Sequence, residues 1–515
     1  MHDVVIVGAG TAGCVLASRL SEDPDLSVLL IEAGPRRRKL ESRIPAAFSK
    51  LYRTSLDWGD STVPQQELDG REIVFPRGRM LGGSAAMNAM MVLRGHPSDY
   101  DAWAAAGCSG WSWADVEPAF AKSAAGPFPL AEQRDRHVLT EAFVHAAQAV
   151  GIPFTEDLNG EDTAGVGYVQ VSQRRGRRFG VAEGYLRPAL RRPNLTVVTE
   201  ALATRLLVAR GRASGVAYRL HGEGKGEEEE ALAGQEVVVC CGAIGSPHLL
   251  QLSGIGPREP LERAAVEVVH ELPGVGANLV DHLANGLLVR TRGARTLASA
   301  ESFRHLADWW VRGRGPLTSN VAEAAAFVRT RPGLAAPDLE LIFLPVLFED
   351  EGLKQPTEDG LTLGVVLLQP RSSGTVQLRS ADPLEPPAID PRYLSDLDGE
   401  DVRTLLSGLR LARRVLEREP LARFVDSEIL PGAQAGTDEA LVAHIRALSQ
   451  TLYHPAATCR MGSDELAVVD PLLRVRGLEG LRVADASVIP RLPSGHTNWP
   501  TVMIAERAAE LVAAR

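Results

Sequence analysis

With 515 residues, 45% of them hydrophobic and 23% charged, the chain can bury one large or two interleaved domains and sits close to a soluble average. Its formal net charge of −10 argues against a nucleic-acid or anionic-membrane partner, which leaves a small molecule as the expected one. The five cysteines lack C-x-x-C spacing, so neither a disulfide framework nor a cysteine-based metal site is expected.

A strand is predicted within a few residues of Met1, leaving no room for a basic and then apolar leader, and the longest apolar run, LELIFLPVLF, is too short to span a bilayer. A cytoplasmic protein without a membrane span is the expectation. The opening stretch DVVIVGAGTAGCVLASRLSEDPDLSVLLIEAG reads as strand, glycine turn, amphipathic helix and second strand ending at Glu32. Gly8 allows the tight turn, Gly10 lets the backbone approach a pyrophosphate at the helix N-terminus, and Gly13 with Ala17 lets helix and strand pack closely. Glu32 is placed to accept ribose hydroxyls and would repel a 2′-phosphate, which disfavours NADP but does not separate NAD from FAD.

No regular strand–helix repeat follows. FPRGRMLGGSAAMNAMMVLRG (75–95) is rich in small residues that let a backbone lie against a flat ligand. NLTVVTEALATRLLVARGRASGVAYRL reads as strands and a turn, and EVVVCCGAIGSPHLLQLSGIG as a buried strand with a helix begun near Ser246-Pro247, both extending the nucleotide-binding sheet. GEGKGEEEE is expected as a solvated turn, and the arginine clusters 36–38 and 174–178 as exposed faces. From about residue 286 the texture changes: helical SFRHLADWWVRGRG, candidate strands in LELIFLPVLF, LTLGVVLLQP and GTVQLRS, then helical DVRTLLSGLRLARRVLE. This predicts a second domain on a largely antiparallel sheet, with the tail from Leu481 returning to the first. The expected boundaries are 1–150, 175–285 and 455–515 for the nucleotide-binding domain, and 151–174 and 286–454 for the other.

Seven stretches, among them VIVGAGTAGCVLASRLSED, GRMLGGSAAMNAMMVLRGHPSDYDAW, GAIGSPHLLQLSGIGP, LPGVGANLVDHL and YHPAATCRMG, resemble in order the signatures of the glucose-methanol-choline (GMC) flavin oxidoreductases, choline-dehydrogenase-like branch. The resemblance implies a fold split into an α/β Rossmann-like FAD domain and an α+β substrate domain, with oxidation of an alcohol to a carbonyl. It assigns the turn Gly8, Gly10, Thr11, Ala12 and Gly13, and Glu32 with Ala33, to the adenosine diphosphate half of FAD, and sets Ala203 beside the adenine. Trp58, Arg79, Gly83, Ser84, Asn88, Ala89 and Met90 would lie along the flavin, with Asp485, Ala486, Thr497 and Asn498 near its phosphates and pyrimidine ring. Where choline oxidases carry a histidine linked to the flavin, this chain has Met87, so non-covalent FAD is expected. The region 124–136 is shorter than the family's.

In the family, the positions of His454 and His496 hold a His/His or His/Asn pair facing flavin N5. An alcohol carbon gives up hydride only as its hydroxyl loses a proton, so a neutral imidazole must reach that hydroxyl while a second group orients the oxygen. His454 is the candidate base and His496 the orienting group. Trp499, standing where relatives carry alanine, either walls the substrate cavity or fills a gap between domains. His282 and His248 belong to stretches that look structural, and no metal-ligand spacing is present. The expected partners are an alcohol and either O2 or a quinone- or dye-type acceptor. The alternatives are a redox-silent, hydroxynitrile-lyase-like enzyme that retains FAD, and a regulatory nucleotide-binding module.

Overall fold

The computed structural model describes residues 1–36, 39–220 and 227–514. Most of its strands alternate between two large sheets. In chain order, β1 (His2–Val7) and β2 (Val28–Glu32) start the first sheet and β3 (Gly165–Tyr168) belongs to the second. Strands β4 (Leu195–Thr199), β5 (Ala201–Ala209), β6 (Arg212–Leu220) and β7 (Glu228–Val239) return to the first. The second is then built from β8 (Leu283–Thr291), β9 (Ala324–Val328), β10 (Leu339–Leu344), β11 (Gly360–Leu367), β12 (Val425–Leu430) and β13 (Gln450–Thr451), before β14 (Leu481–Val483) rejoins the first. The helices that position the site or its flank are α1 (Thr11–Leu20), α2 (Val138–Ala149), α3 (Gly242–Leu252), α4 (Phe303–Arg312), α5 (Glu400–Leu416) and α6 (Asn498–Ala513).

Among the described residues the first sheet runs β4-β2-β1-β7-β6-β5, with β14 also on β7. The strands from β4 to β7 and β14 are parallel, and the β7-β6-β5 end is antiparallel. Val4 to Val7 and Val28 to Ile31 are buried on both faces, which is why these segments read as unbroken apolar runs and not as alternation. The second sheet, β12-β8-β11-β10-β9-β3 with β13 on β8, is antiparallel throughout. Each sheet has its own large apolar core.

Several boundaries move. Helix α2 buries Leu139, Ala142 and Phe143 in the core of the second sheet, where Phe143 stacks on Phe343 at 4.9 Å, so it does not belong with residues 1–137 as the expected 1–150 boundary has it. Strand β8 likewise starts at Leu283, inside the segment assigned to the first domain. Helix α3 begins at Gly242, and Pro247 lies within it. The helical N–H that Pro247 lacks would have met the carbonyl of Ala243, which accepts instead from the Thr458 hydroxyl at 2.5 Å. Thr375–Gln377 pairs with Ala388–Asp390 in a separate ribbon and not with the large sheet. Glu228 to Glu230 extend β7, while residues 222–226 of the expected turn, and Arg37 and Arg38, lie outside the described residues. In the second arginine cluster Arg174 and Arg175 are exposed, but Arg178 is buried, donating to the Asn88 side chain at 2.8 Å and its carbonyl at 2.6 Å.

Candidate active site

A cavity of about 810 Å³ lies between the parallel strand ends and the antiparallel sheet. At one end Glu32 closes β2. Its carboxylate accepts the backbone N–H of Ala9 and of Gly34, each at 2.8 Å, and burial outweighs these bonds and the Arg79 charge to push its pKa up to about 7. The glycine turn sits beside it. Gly8 has φ +98° and packs on the Cys240 carbonyl, and a Cβ on Gly83, at φ +52°, would strike Gly10 Cα at 2.8 Å. The 75–95 segment therefore lies directly against the turn, which small residues alone permit.

Helices α1 and α6 both begin at this cavity. Neither has a side-chain cap or an acidic residue in its first turn, and the two starts are tied by the Thr11 hydroxyl donating to Asn498 Oδ1 at 2.9 Å. Two N-termini with unsatisfied backbone N–H groups facing one cavity favour anionic or electron-rich groups of a bound ligand. Asp485 organises the neighbouring edge by accepting the Gly242 N–H at 2.8 Å and the Ser487 N–H at 2.8 Å.

The histidines meet at the other end. His454 and His496 are 9% and 7% exposed, with ring centroids 4.6 Å apart. Asp281 holds the His454 backbone through its N–H at 2.8 Å and is itself bound by the hydroxyls of Thr451 and Tyr393; burial still raises its pKa to about 6. His454 Nδ1 lies 3.0 Å from His282 Nδ1, and His282 Nε2 lies 3.0 Å from the Leu368 carbonyl. A carbonyl only accepts, so His282 must carry its proton on Nε2. Burial, then the nearby His496, lowers the His282 pKa to about 3, so its Nδ1 is a bare acceptor and His454 must donate from Nδ1. That leaves His454 Nε2 with a free lone pair. Burial, then the electrostatic penalty of adding a proton beside the His496 and His282 rings, holds the His454 pKa well below the ordinary histidine range.

His496 is held differently. Its backbone N–H donates to the Leu93 carbonyl at 3.0 Å and its Nε2 lies 3.2 Å from Glu340 Oε2. Glu340 is fully buried in β10, and its other oxygen has no hydrogen-bond partner among the described residues.

The cavity brings together His454, His496 and all of the expected cofactor residues except Gly13. Gly13 stands behind the turn, where a Cβ would strike the Gly8 carbonyl oxygen at 1.8 Å. Met87 also lines the cavity. Trp499 does not: its indole stacks with Phe128, meets Phe120 edge-on and donates to Ser123 at 2.9 Å, because its place in the first turn of α6 turns it toward the helix 113–124. The aromatic wall comes instead from Phe48, Tyr52, Phe348 and Tyr453, with Tyr52 and Tyr453 5.8 Å apart and the Tyr453 hydroxyl without a hydrogen-bond partner among the described residues. Of the two histidines in stretches that look structural, His282 does not line the cavity but contacts His454 behind it, and His248 does line it. Glu340 carried a signal in sequence, a lone acid in the apolar run LELIFL, since a buried charge needs a partner. Among the described residues no cluster fits a metal ion.

Family models of GMC oxidoreductases match residues 2–284 (N-terminal domain) and 370–505 (C-terminal domain). The alcohol dehydrogenase (acceptor) of Pseudomonas putida is 40% identical over 99% of this chain and 96% of its own. The mitochondrial choline dehydrogenase of Mus musculus is 40% identical over 99% and 89%. Among solved structures, pyridoxine 4-oxidase from Mesorbium loti superposes with a TM-score of 0.90 at 31% identity, covering both chains completely.

Proposed function

The chain belongs to the GMC oxidoreductase family, and on that premise we propose that it binds FAD non-covalently and oxidises a primary or secondary alcohol to the aldehyde or ketone with His454 as base. The observation that carries this reading is the chain Leu368–His282–His454, which leaves a buried, neutral imidazole with its Nε2 lone pair free. The cavity residues suit the cofactor. The α1 N-terminus and Gly10 would hold the pyrophosphate, Glu32 the ribose, Ala203 the adenine, and the Asn88–Met90 backbone with the α6 N-terminus the flavin. When bound, FAD supplies the two-electron acceptor for the hydride that leaves the alcohol carbon.

The protein supplies the proton handling. His454 Nε2 takes the hydroxyl proton, which raises electron density at the carbon and weakens its C–H bond. His496, anchored through Nε2 by the Glu340 carboxylate, presents the rest of its ring to the substrate oxygen and fixes the direction of the α-hydrogen. Phe48, Tyr52, Phe348 and Tyr453 would receive the substrate's carbon skeleton. The acceptor that reoxidises the enzyme is O2 or a quinone- or dye-type compound.

The test is an anaerobic screen of small alcohols, choline included, against the yellow holoprotein, followed by admission of air. Bleaching by at least one alcohol is expected. Rapid reoxidation with peroxide would assign an oxidase, slow reoxidation a dehydrogenase, and absence of bleaching across primary, secondary and aryl alcohols would overturn the proposal.

A further inference from the structure

Helix α4 has two apolar faces. One is inward: Trp309 is fully buried, donates its indole N–H to the Gly176 carbonyl at 2.8 Å and packs with Ile44, Ala47 and Leu317. The other consists of Phe303, Ala307, Trp310 and Val311, whose i, i+4, i+7, i+8 spacing puts them on one stripe of the helix. That stripe is open to solvent, with Phe303 93%, Trp310 53% and Val311 79% exposed. Single exposed apolar residues need no explanation, but three large ones aligned on one helix do.

The stripe is framed by arginine. Arg304, Arg312 and Arg314 are exposed on the same segment, and Arg174 and Arg175 on the hairpin formed by Gln173–Arg174 and Arg177–Arg178. The hairpin is fixed to the helix, since the Arg177 guanidinium lies 5.0 Å from the Trp309 ring and 5.5 Å from the Trp310 ring and donates to the Trp310 carbonyl at 3.1 Å. Of the acids nearby, Asp308 pairs with Arg312, Glu301 with Lys50, and Asp135 accepts the Gly315 N–H at 2.8 Å, and among the described residues Arg174, Arg175, Arg304 and Arg314 are in no ion pair. The net charge of −10 thus hides a local basic face that carries its own apolar stripe.

We propose that this face seats the protein on an anionic lipid bilayer, with Phe303, Trp310 and Val311 entering the headgroup region and the arginines meeting lipid phosphates. A short basic helix with aromatic residues on its apolar side is suited to lying in that interface, and no described helix is long and apolar enough to cross a membrane. A second copy of the chain is a poor occupant, because two-fold docking would set one arginine cluster against another and three or four side chains fall well short of the roughly 800 Å² per partner of a stable interface. The inner face of α4 rests on Ala47, next to Phe48 of the cavity wall, so docking would bring that wall close to the lipid and to apolar compounds dissolved in it.

The test is flotation of the purified holoprotein with phosphatidylcholine vesicles and with vesicles containing phosphatidylglycerol. The wild type should float with the anionic vesicles at low salt and be released by high salt. The pairs Phe303→Ser/Val311→Ser and Arg304→Glu/Arg314→Glu should each cut the bound fraction about tenfold or more, with reduction of a soluble dye unchanged. Wild type that stays unbound at low salt would overturn the proposal, as would both variants floating like wild type. A wild-type dimer that the serine pair dissociates, without vesicle binding, would assign the face to a second copy.

Discussion

His282 Nδ1 lies 3.0 Å from His454 Nδ1, and the Leu368 carbonyl on the far side of His282 decides which of the two donates. The consequence is a tautomer of His454 that can only accept at Nε2. Replacing His282 with phenylalanine removes that constraint. His282→Phe should lower kcat for alcohol oxidation by roughly 10²-fold with little change in KM, whereas His282→Gln, which keeps a donor and an acceptor, should recover part of the loss. Rapid-mixing reduction kinetics on both variants, with FAD content measured first, check this. A phenylalanine variant as fast as wild type would remove His282 from the mechanism.

The acid side of the pH profile should be displaced. The proposed base is neutral His454, and burial lowers its pKa below that of a free histidine, so neutral imidazole persists as pH falls past the ordinary value of about 6.5. The acid limb of kcat/KM should therefore reach half-maximum below about pH 6.5. A limb centred at pH 7 or above would mean that the titrating base is not held in this environment.

FAD attachment is tested by acid precipitation. Met87 lines the cavity and offers no nucleophilic nitrogen or oxygen for a covalent link, so the yellow colour should pass into the supernatant. Colour retained in a washed pellet would require another residue to make the bond.

Trp499 should behave as a packing residue. Trp499→Ala removes an indole 5% exposed, with its stacking on Phe128 and its hydrogen bond to Ser123, and should cost about 3–5 kcal/mol of stability. Relative kcat/KM across a panel of alcohols should change by less than about twofold. A broadened substrate range in a variant of unchanged melting temperature would restore it to the cavity wall.

The cofactor end of the site was largely legible in the chain because its signals are local. Gly8, Gly10 and Gly13 lie within one turn, and strand, helix and Glu32 follow at fixed offsets. The histidine end was legible only as two histidines in distinctive stretches. The His282–His454 contact joins positions 172 apart, and the His496–Glu340 contact joins positions 156 apart, so each depends on how β8 and β10 register in the second sheet. Trp499 shows the limit from the other side: its neighbours His496 and Asn498 line the cavity, but a step of about 100° around α6 turns its side chain elsewhere. Arg178 was grouped with exposed arginines by composition, and its burial follows from the carbonyls of a loop distant in sequence.

The most direct test of the account is the anaerobic, single-turnover rate at which the best alcohol bleaches the holoprotein, compared among wild type, His454→Ala and His496→Asn. With FAD bound in all three, His454→Ala should be slower by roughly 10²- to 10⁴-fold, and His496→Asn, which still offers a hydrogen-bond donor, should lose less. Bleaching by His454→Ala at the wild-type rate would contradict the claim that this imidazole takes the substrate's proton.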